Sequence, residues 1–201
     1  DAVIGGEADN AFCAVRPPGH HAEVDRAMGF CLFNNVAIAA RYGQAVGGLQ
    51  RVAVVDFDVH HGNGTQAAFE GDGGLFYASS HQSPCFPGTG DKSDRGCVGN
   101  MVHVQLAPGA GSAEFRKGYE ERIFPALRNF SPELLLISAG FDAHADDPLA
   151  LVRLVTEDYA WVVQNLLHIA AQCCRGRVVA TLEGGYDMAA LAAGVTALAR
   201  A

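Results

Sequence analysis

The segment Asp56-Phe57-Asp58-Val59-His60-His61-Gly62-Asn63-Gly64 sets two carboxylates and an imidazole at alternate positions, directly behind the apolar run Arg51-Val52-Ala53-Val54-Val55. Side chains at i, i+2 and i+4 of an extended chain point to one side, so Asp56, Asp58 and His60 can converge. Charged groups at the end of a buried strand are costly unless they are paired or ligate a metal. Oxygen and nitrogen donors in this mix suit zinc or a similar divalent ion. The bland alternative is a solvated Asp/His-rich loop.

Four more polar clusters recur in the same setting. Gly19-His20-His21 follows the apolar stretch Phe12 to Val15, and Ser79-Ser80-His81 closes the run that starts at Leu75. Gly140-Phe141-Asp142 through Asp147-Pro148 follows Leu134 to Ser138, and Glu183-Gly184-Gly185-Tyr186 follows Arg177 to Leu182. A satisfied core histidine or a solvated loop explains any one of these, but not all five at once.

The apolar stretches read as strands, with Met101 to Leu106 as a further, half-exposed one. Helices are predicted between them: Asn35 to Val46, closed by Gly47-Gly48, and a short one near Thr65 to Phe69. Ser112 is placed as an N-cap ahead of Phe115, Tyr119, Ile123, Phe124 and Leu127 at helical spacing. Thr156 is placed as the cap of a helix with Glu157 and Asp158 in its first turn, and a last helix starts at Met188. Strand–helix alternation with continuous apolar strands predicts a three-layer α/β fold, a mainly parallel sheet with helices on both faces. Ligands bind such sheets at the carboxyl edge, where all five clusters fall. The Gly-, Pro- and Ser-rich stretch from His81 to Asn100 is a functional-loop candidate.

With 201 residues, 49% of them hydrophobic, one domain is the expectation. A formal net charge of −8 without any Lys/Arg cluster argues against direct binding of nucleic acid. No apolar run approaches the ~18 residues of a membrane span, and the given residues contain no charged-then-apolar stretch of the leader type. The chain begins at Asp1 rather than Met and reads as a fragment. Six cysteines without a C-x-x-C pair give no disulfide framework, so a reducing cytoplasm is expected rather than secretion.

Taken in order, Arg16-Pro17-Pro18-Gly19-His20-His21-Ala22, Met28-Gly29-Phe30-Cys31, Phe33-Asn34, the Asp56 to Gly64 segment, Phe86-Pro87-Gly88-Thr89-Gly90, Ser138-Ala139-Gly140-Phe141-Asp142-Ala143 and Glu183-Gly184-Gly185-Tyr186 resemble the histone deacetylase family, specifically its class II-like and bacterial members. Members carry a further N-terminal segment, so residues 1–201 resemble a truncated catalytic domain of arginase/deacetylase-like architecture. The resemblance implies zinc on Asp58, His60 and Asp147. Asp147 is chosen over Asp146 because it stands directly before the proline, and Asp142 is left as a support of the strand end. Iron or cobalt in place of zinc stays open.

The same resemblance makes His21 the general base and then the acid, with His20 beside it shaping the electrostatics. Tyr186 is the donor to the developing oxyanion. Asp56 is assigned to orient His20, and Asn63 to orient His21. A neutral amide stabilises an imidazolium less than a carboxylate does, so His21 is expected to be the more readily neutral of the two. Phe30 and Phe86 match the walls of an acyl-lysine tunnel and Gly29 its base, while Leu154 stands where polyamine-preferring relatives carry an acidic gatekeeper. Asp56, Asp58, His60, Ser79 and Ser80 match a potassium site, and Phe69 a carbonyl of a second.

The activity implied is removal of an acetyl or short acyl group from the ε-amine of lysine, with a small acetylated amine such as an acetylpolyamine as the alternative substrate. A binuclear manganese ureohydrolase needs an Asp where Gly62 stands. A non-catalytic acyl-lysine-binding relative is expected to lack the tyrosine, which is present here as Tyr186.

Overall fold

The apolar runs form six parallel strands in the computed structural model, which describes all of residues 1–201. They are β1 (Asn10–Cys13), β2 (Val52–Asp56), β3 (Leu75–Gln82), β4 (Met101–Leu106), β5 (Leu134–Ala139) and β6 (Val178–Leu182), in the order β1-β6-β5-β2-β3-β4. Seven helices accompany them: α1 (Ala2–Gly5), α2 (Asn35–Ala45), α3 (Asn63–Phe69), α4 (Ser112–Gly118), α5 (Phe124–Phe130), α6 (Thr156–Cys173) and α7 (Met188–Arg200). The strands are continuously apolar because both faces are covered. Val52 and Val54 pack with Val36 and Ala40 of α2, whereas Ala53 and Val55 point the other way, into a larger core that includes Phe115, Ile123 and Leu166. No helix is long and apolar enough to cross a membrane.

Two expected caps lie elsewhere. Ser112 and Thr156 are the first helical residues, not the caps. The third helical residue instead reaches back in each case: Glu114 accepts from the Gly111 amide at 3.0 Å and Asp158 from the Val155 amide at 3.1 Å. The Ser112 hydroxyl is then free to donate to Asp158 at 2.6 Å, which ties α4 to α6. The helix expected to run on from Ser112 is interrupted by a π-helical turn, Tyr119–Ile123, just ahead of Pro125. Proline has no amide to give the preceding turn and crowds its carbonyl, and a widened turn accommodates both defects.

The chain walks from β2 through β3 to β4 in one direction, then returns through β5 and β6 on the other side of β2. The neighbours β2 and β5 therefore form the point where strand order reverses, the place where open α/β sheets bind ligands. Their register pairs Asp56 with Ser138. Carried past the strand ends, that offset sets Gly140 level with Asp58 and Asp142 level with His60.

Candidate metal centre and catalytic cleft

Asp58 and His60 leave β2 on one side of the reversal point and Asp142 leaves β5 on the other. One donor atom from each lies within 4.8 Å of the others. His60 Nδ1 faces Asp58 Oδ1 and Asp142 Oδ2, both at 3.1 Å. The remaining carboxylate oxygens are held from behind: the Gly184 amide donates to Asp58 Oδ2 at 2.8 Å, and the Val59 amide to Asp142 Oδ1 at 2.9 Å. Approach is this close because Gly140 has no side chain; a Cβ there would meet the Cα and Cβ of Asp58 at 2.6 Å.

The electrostatics of this trio call for a cation. Burial pushes the Asp142 carboxyl up, as does the Asp58 charge, to about 6. Burial works the same way on Asp58, but His20 and His60 prevail and hold it well below the usual carboxylate range. Burial opposes the His60 cation, yet Asp142 and Asp58 drive that ring up to about 11. These shifts all favour positive charge between the two carboxylates, where a divalent ion would sit. Two carboxylates and an imidazole, convergent at the strand ends, are a donor set of the zinc type, and a metal would compete with protons for it.

The expected third ligand is corrected here: the structure brings Asp142, not Asp147, beside Asp58 and His60. Asp147 lies five residues further along, where the chain has turned away from the strand end. Its Oδ2 accepts from the amides of Tyr186 (2.7 Å) and Asp187 (3.2 Å) instead. Asp146 is exposed and also outside the cluster.

His20 and His21 reach the trio from the loop after β1. Glu183, buried at the end of β6, carries that loop by accepting from the amides of Gly19 (2.6 Å) and His20 (3.1 Å), with the Ser138 hydroxyl on its other oxygen at 3.0 Å. His20 Nδ1 meets Asp56 Oδ2 at 2.9 Å, and that carboxylate also accepts from the Tyr77 hydroxyl at 3.0 Å. His21 Nδ1 meets Asn63 Oδ1 at 2.9 Å. The Asn63 amide nitrogen points the other way, to Glu23 Oε1 at 2.6 Å and the His21 carbonyl at 3.3 Å, which assigns its oxygen to the ring. His21 therefore carries its proton on Nδ1 and leaves Nε2 as a base.

The two rings are tuned apart. Burial disfavours the His20 cation, but Asp58 and Asp56 outweigh it and raise His20 to about 10. Burial together with the neighbouring His20 charge lowers His21 to about 3. In the metal-free protein His20 should stay protonated through the neutral range, being charged below its raised pKa, while His21 stays neutral above its lowered one. An NMR titration of the imidazole carbons reads this directly; His21 protonating before His20 as pH falls would reverse the assignment of the base.

His20, His21, Asp58, His60 and Gly184 line a cavity of about 430 Å³ together with Pro18, Gly29, Phe30, Phe86, Leu149 and Tyr186. Phe30 is thrown outward by a two-residue hairpin turn. Met28 and Cys31 exchange backbone hydrogen bonds while Gly29 (φ 54°) and Phe30 (φ 66°) both sit in the left-handed region. Gly29 has a second reason to be glycine, because a Cβ would run into the His21 imidazole. The Phe30 ring lies 6.0 Å from that of Tyr186, and the Phe86 ring 5.1 Å from that of His21. Both phenylalanines are largely exposed, at 69% and 49%, as expected of walls rather than core. Burial, with Asp58 and Asp142 behind it, raises the Tyr186 phenol, so its hydroxyl remains a hydrogen-bond donor.

Leu154, expected at the mouth, is corrected as well. It is fully buried in the main core, its amide donating to the Ala143 carbonyl at 3.0 Å. The rim residue is Leu149, 46% exposed. Sequence reasoning also passed over Tyr77 and Glu23 and gave Glu183 no role of its own; each acts by orienting a histidine or its partner, which no local pattern announces. Of the residues matched to cation sites, Asp56 and Ser79 are register partners across β2 and β3. The Ser79 hydroxyl meets His81 Nδ1 at 2.9 Å and the Ser80 hydroxyl that of Tyr119 at 3.1 Å. The Phe69 carbonyl accepts from the Asn100 side chain at 2.9 Å.

The Histone deacetylase domain family matches the chain over residues 1–201. The chain is 42% identical over 193 residues to the histone deacetylase-like amidohydrolase of Pseudomonas aeruginosa, covering 94% of itself and 51% of that protein. It is 45% identical to histone deacetylase 14, chloroplastic, of Arabidopsis thaliana, covering 97% of itself and 48% of that protein. A crystal structure of the HDA15 HD domain superposes with a TM-score of 0.93 at 39% identity, over 99% of this chain and 57% of that one. The chain thus spans about half the length of the relatives it matches.

Proposed function

The chain belongs to the histone deacetylase domain family, and from that membership we propose that it is a zinc-dependent amidohydrolase that removes acetyl or short acyl groups from the ε-amine of lysine. The observation that carries the proposal is the company kept by the three-donor cluster. Two oppositely tuned histidines and a protonated phenol share its cavity, behind two aromatic walls.

Asp58, His60 and Asp142 would hold the zinc. When bound, the ion supplies a Lewis acid that polarises the amide carbonyl and makes a nearby water acidic. His21 accepts the proton of the attacking water at Nε2 and returns it to the departing amine. Asn63 keeps that ring in the right tautomer, and Gly29 leaves room for it. His20, anchored on Asp56 and packed beside His21, shapes the electrostatics around the developing negative charge. The Tyr186 hydroxyl donates to the oxyanion, a contact that strengthens only as charge develops. Phe30 and Phe86 flank the methylene stem of a neutralised lysine side chain, and Leu149 forms the rim. Potassium at the ends of β2 and β3, on Asp56, Asp58, His60, Ser79 and Ser80, belongs to the same proposal. So does the assignment of residues 1–201 to one catalytic domain. Six free cysteines suit a reducing compartment such as the cytoplasm.

The test sets an acetyl-lysine peptide beside acetylspermidine. Zinc-loaded protein is expected to turn over the peptide, to lose activity on chelation and to regain it with stoichiometric zinc. Turnover of acetylspermidine alone would move the assignment to polyamines. Two manganese ions per chain and no amidase activity would overturn the proposal.

A further inference from the structure

Asp147 is nine-tenths buried yet stands outside the metal cluster. Between the end of β6 and the start of α7, residues 183–187 form no regular structure, so their amides need partners from elsewhere. The Glu183 amide donates to the Ala139 carbonyl at 3.0 Å and the Gly184 amide to Asp58. The amides of Tyr186 and Asp187 both donate to Asp147 Oδ2. Its other oxygen, Oδ1, accepts from the Leu149 amide at 3.1 Å. One carboxylate thereby joins the segment that carries the phenol to the segment that carries the rim.

We infer that Asp147 is a positioning residue for the reaction, seating Tyr186 and Leu149 relative to one another from a single buried carboxylate. The inference rests on the deacetylase reading of Tyr186. Charge-assisted bonds from amides are short and directional, and three converge on this group. Two contacts hold carbonyls of the same loop: the Phe141 amide donates to the Gly184 carbonyl at 2.9 Å, and Arg16 to the Gly185 carbonyl at 2.8 Å, with its guanidinium 5.8 Å from the centre of the Tyr186 ring. Neither reaches the amides of Tyr186 and Asp187, which both fall to Asp147. Without Asp147 two adjacent amides must seek water, and the phenol moves with them.

Two substitutions separate the two tasks. Asp147→Asn keeps one acceptor, which turns to the two amides of the tyrosine loop and leaves an NH2 against Leu149. Its KM should rise several-fold while kcat stays near wild type. Asp147→Ala loses both sides, and kcat should fall roughly ten- to a hundredfold, the usual consequence of a misplaced catalytic group. In a Tyr186→Phe background Asp147→Ala should cost nothing further in kcat, because the group it positions is gone. Hydrogen exchange at the amides of Tyr186, Asp187 and Leu149 should accelerate in Asp147→Ala while the central strands keep their protection. Unchanged kcat and exchange in Asp147→Ala, or the same fold-loss of kcat with and without the Tyr186 hydroxyl, would overturn the inference. A wild type without turnover would strike the deacetylase reading itself, and the exchange measurement would then decide the seat alone.

Discussion

Asp142→Asn should strip the metal and take turnover with it, whereas Asp147→Asn should leave metal affinity unchanged. A change around a ligand already costs ten- to a hundredfold in affinity, so loss of a ligand charge should weaken zinc binding by more than about a hundredfold. The structural reason is specific. Asp142 is level with His60 across the β2–β5 pair, has one oxygen anchored by the Val59 amide, and turns the other on His60 Nδ1. An amide in its place sets an NH2 group against that nitrogen or against the Val59 amide. Asp147 has both oxygens engaged by backbone amides and lies outside the cluster. Competition with a chromophoric chelator measures both variants. If Asp147→Asn released the metal and Asp142→Asn kept it, the ligand assignment drawn from the geometry would be wrong.

Tyr186→Phe should lower kcat by about 10²–10³-fold, or ~3–4 kcal/mol of transition-state stabilisation, which is the usual cost of removing one oxyanion donor. KM and zinc affinity should hardly move. The ring stays in place after the change, since Phe30 flanks it and Arg16 lies over it. The loop stays in place because Asp147 grips the backbone rather than the phenol. Only the hydroxyl is lost, and the raised pKa of that hydroxyl is what makes it a donor at neutral pH. Steady-state kinetics on an acetyl-lysine peptide, with zinc content measured on the same samples, give the result. Undiminished kcat would remove Tyr186 from the mechanism and Asp147's purpose with it.

Much of the cleft could be read along the chain because its signals are local. Alternation put Asp56, Asp58 and His60 on one side of an extended segment, and the apolar run before them made that segment a buried strand. The pairing of His20 with Asp56 and of His21 with Asn63 came through the resemblance, and both contacts are present at 2.9 Å. Two errors share one cause. Both Asp147 and Leu154 come from matching the loop after β5 to the family pattern, and a loop's path in space does not follow from such a match. That segment turns back at once, so that Leu154 pairs beside Ala143 and His144 and sinks into the core. Leu149 is left at the rim.

By itself the chain determined a parallel α/β sheet, the edge that carries the chemistry, and which side chain types stand there, since these follow from the period of two and from the cost of burying charge. Tertiary structure decided which carboxylate completes the cluster and which loop each remaining group steadies. The physical reason is the strand order. Only the reversal between β2 and β5 makes Asp142 a neighbour of His60 across 82 residues of sequence, and only the need of the loop's amides for partners gives Asp147 and Glu183 their places.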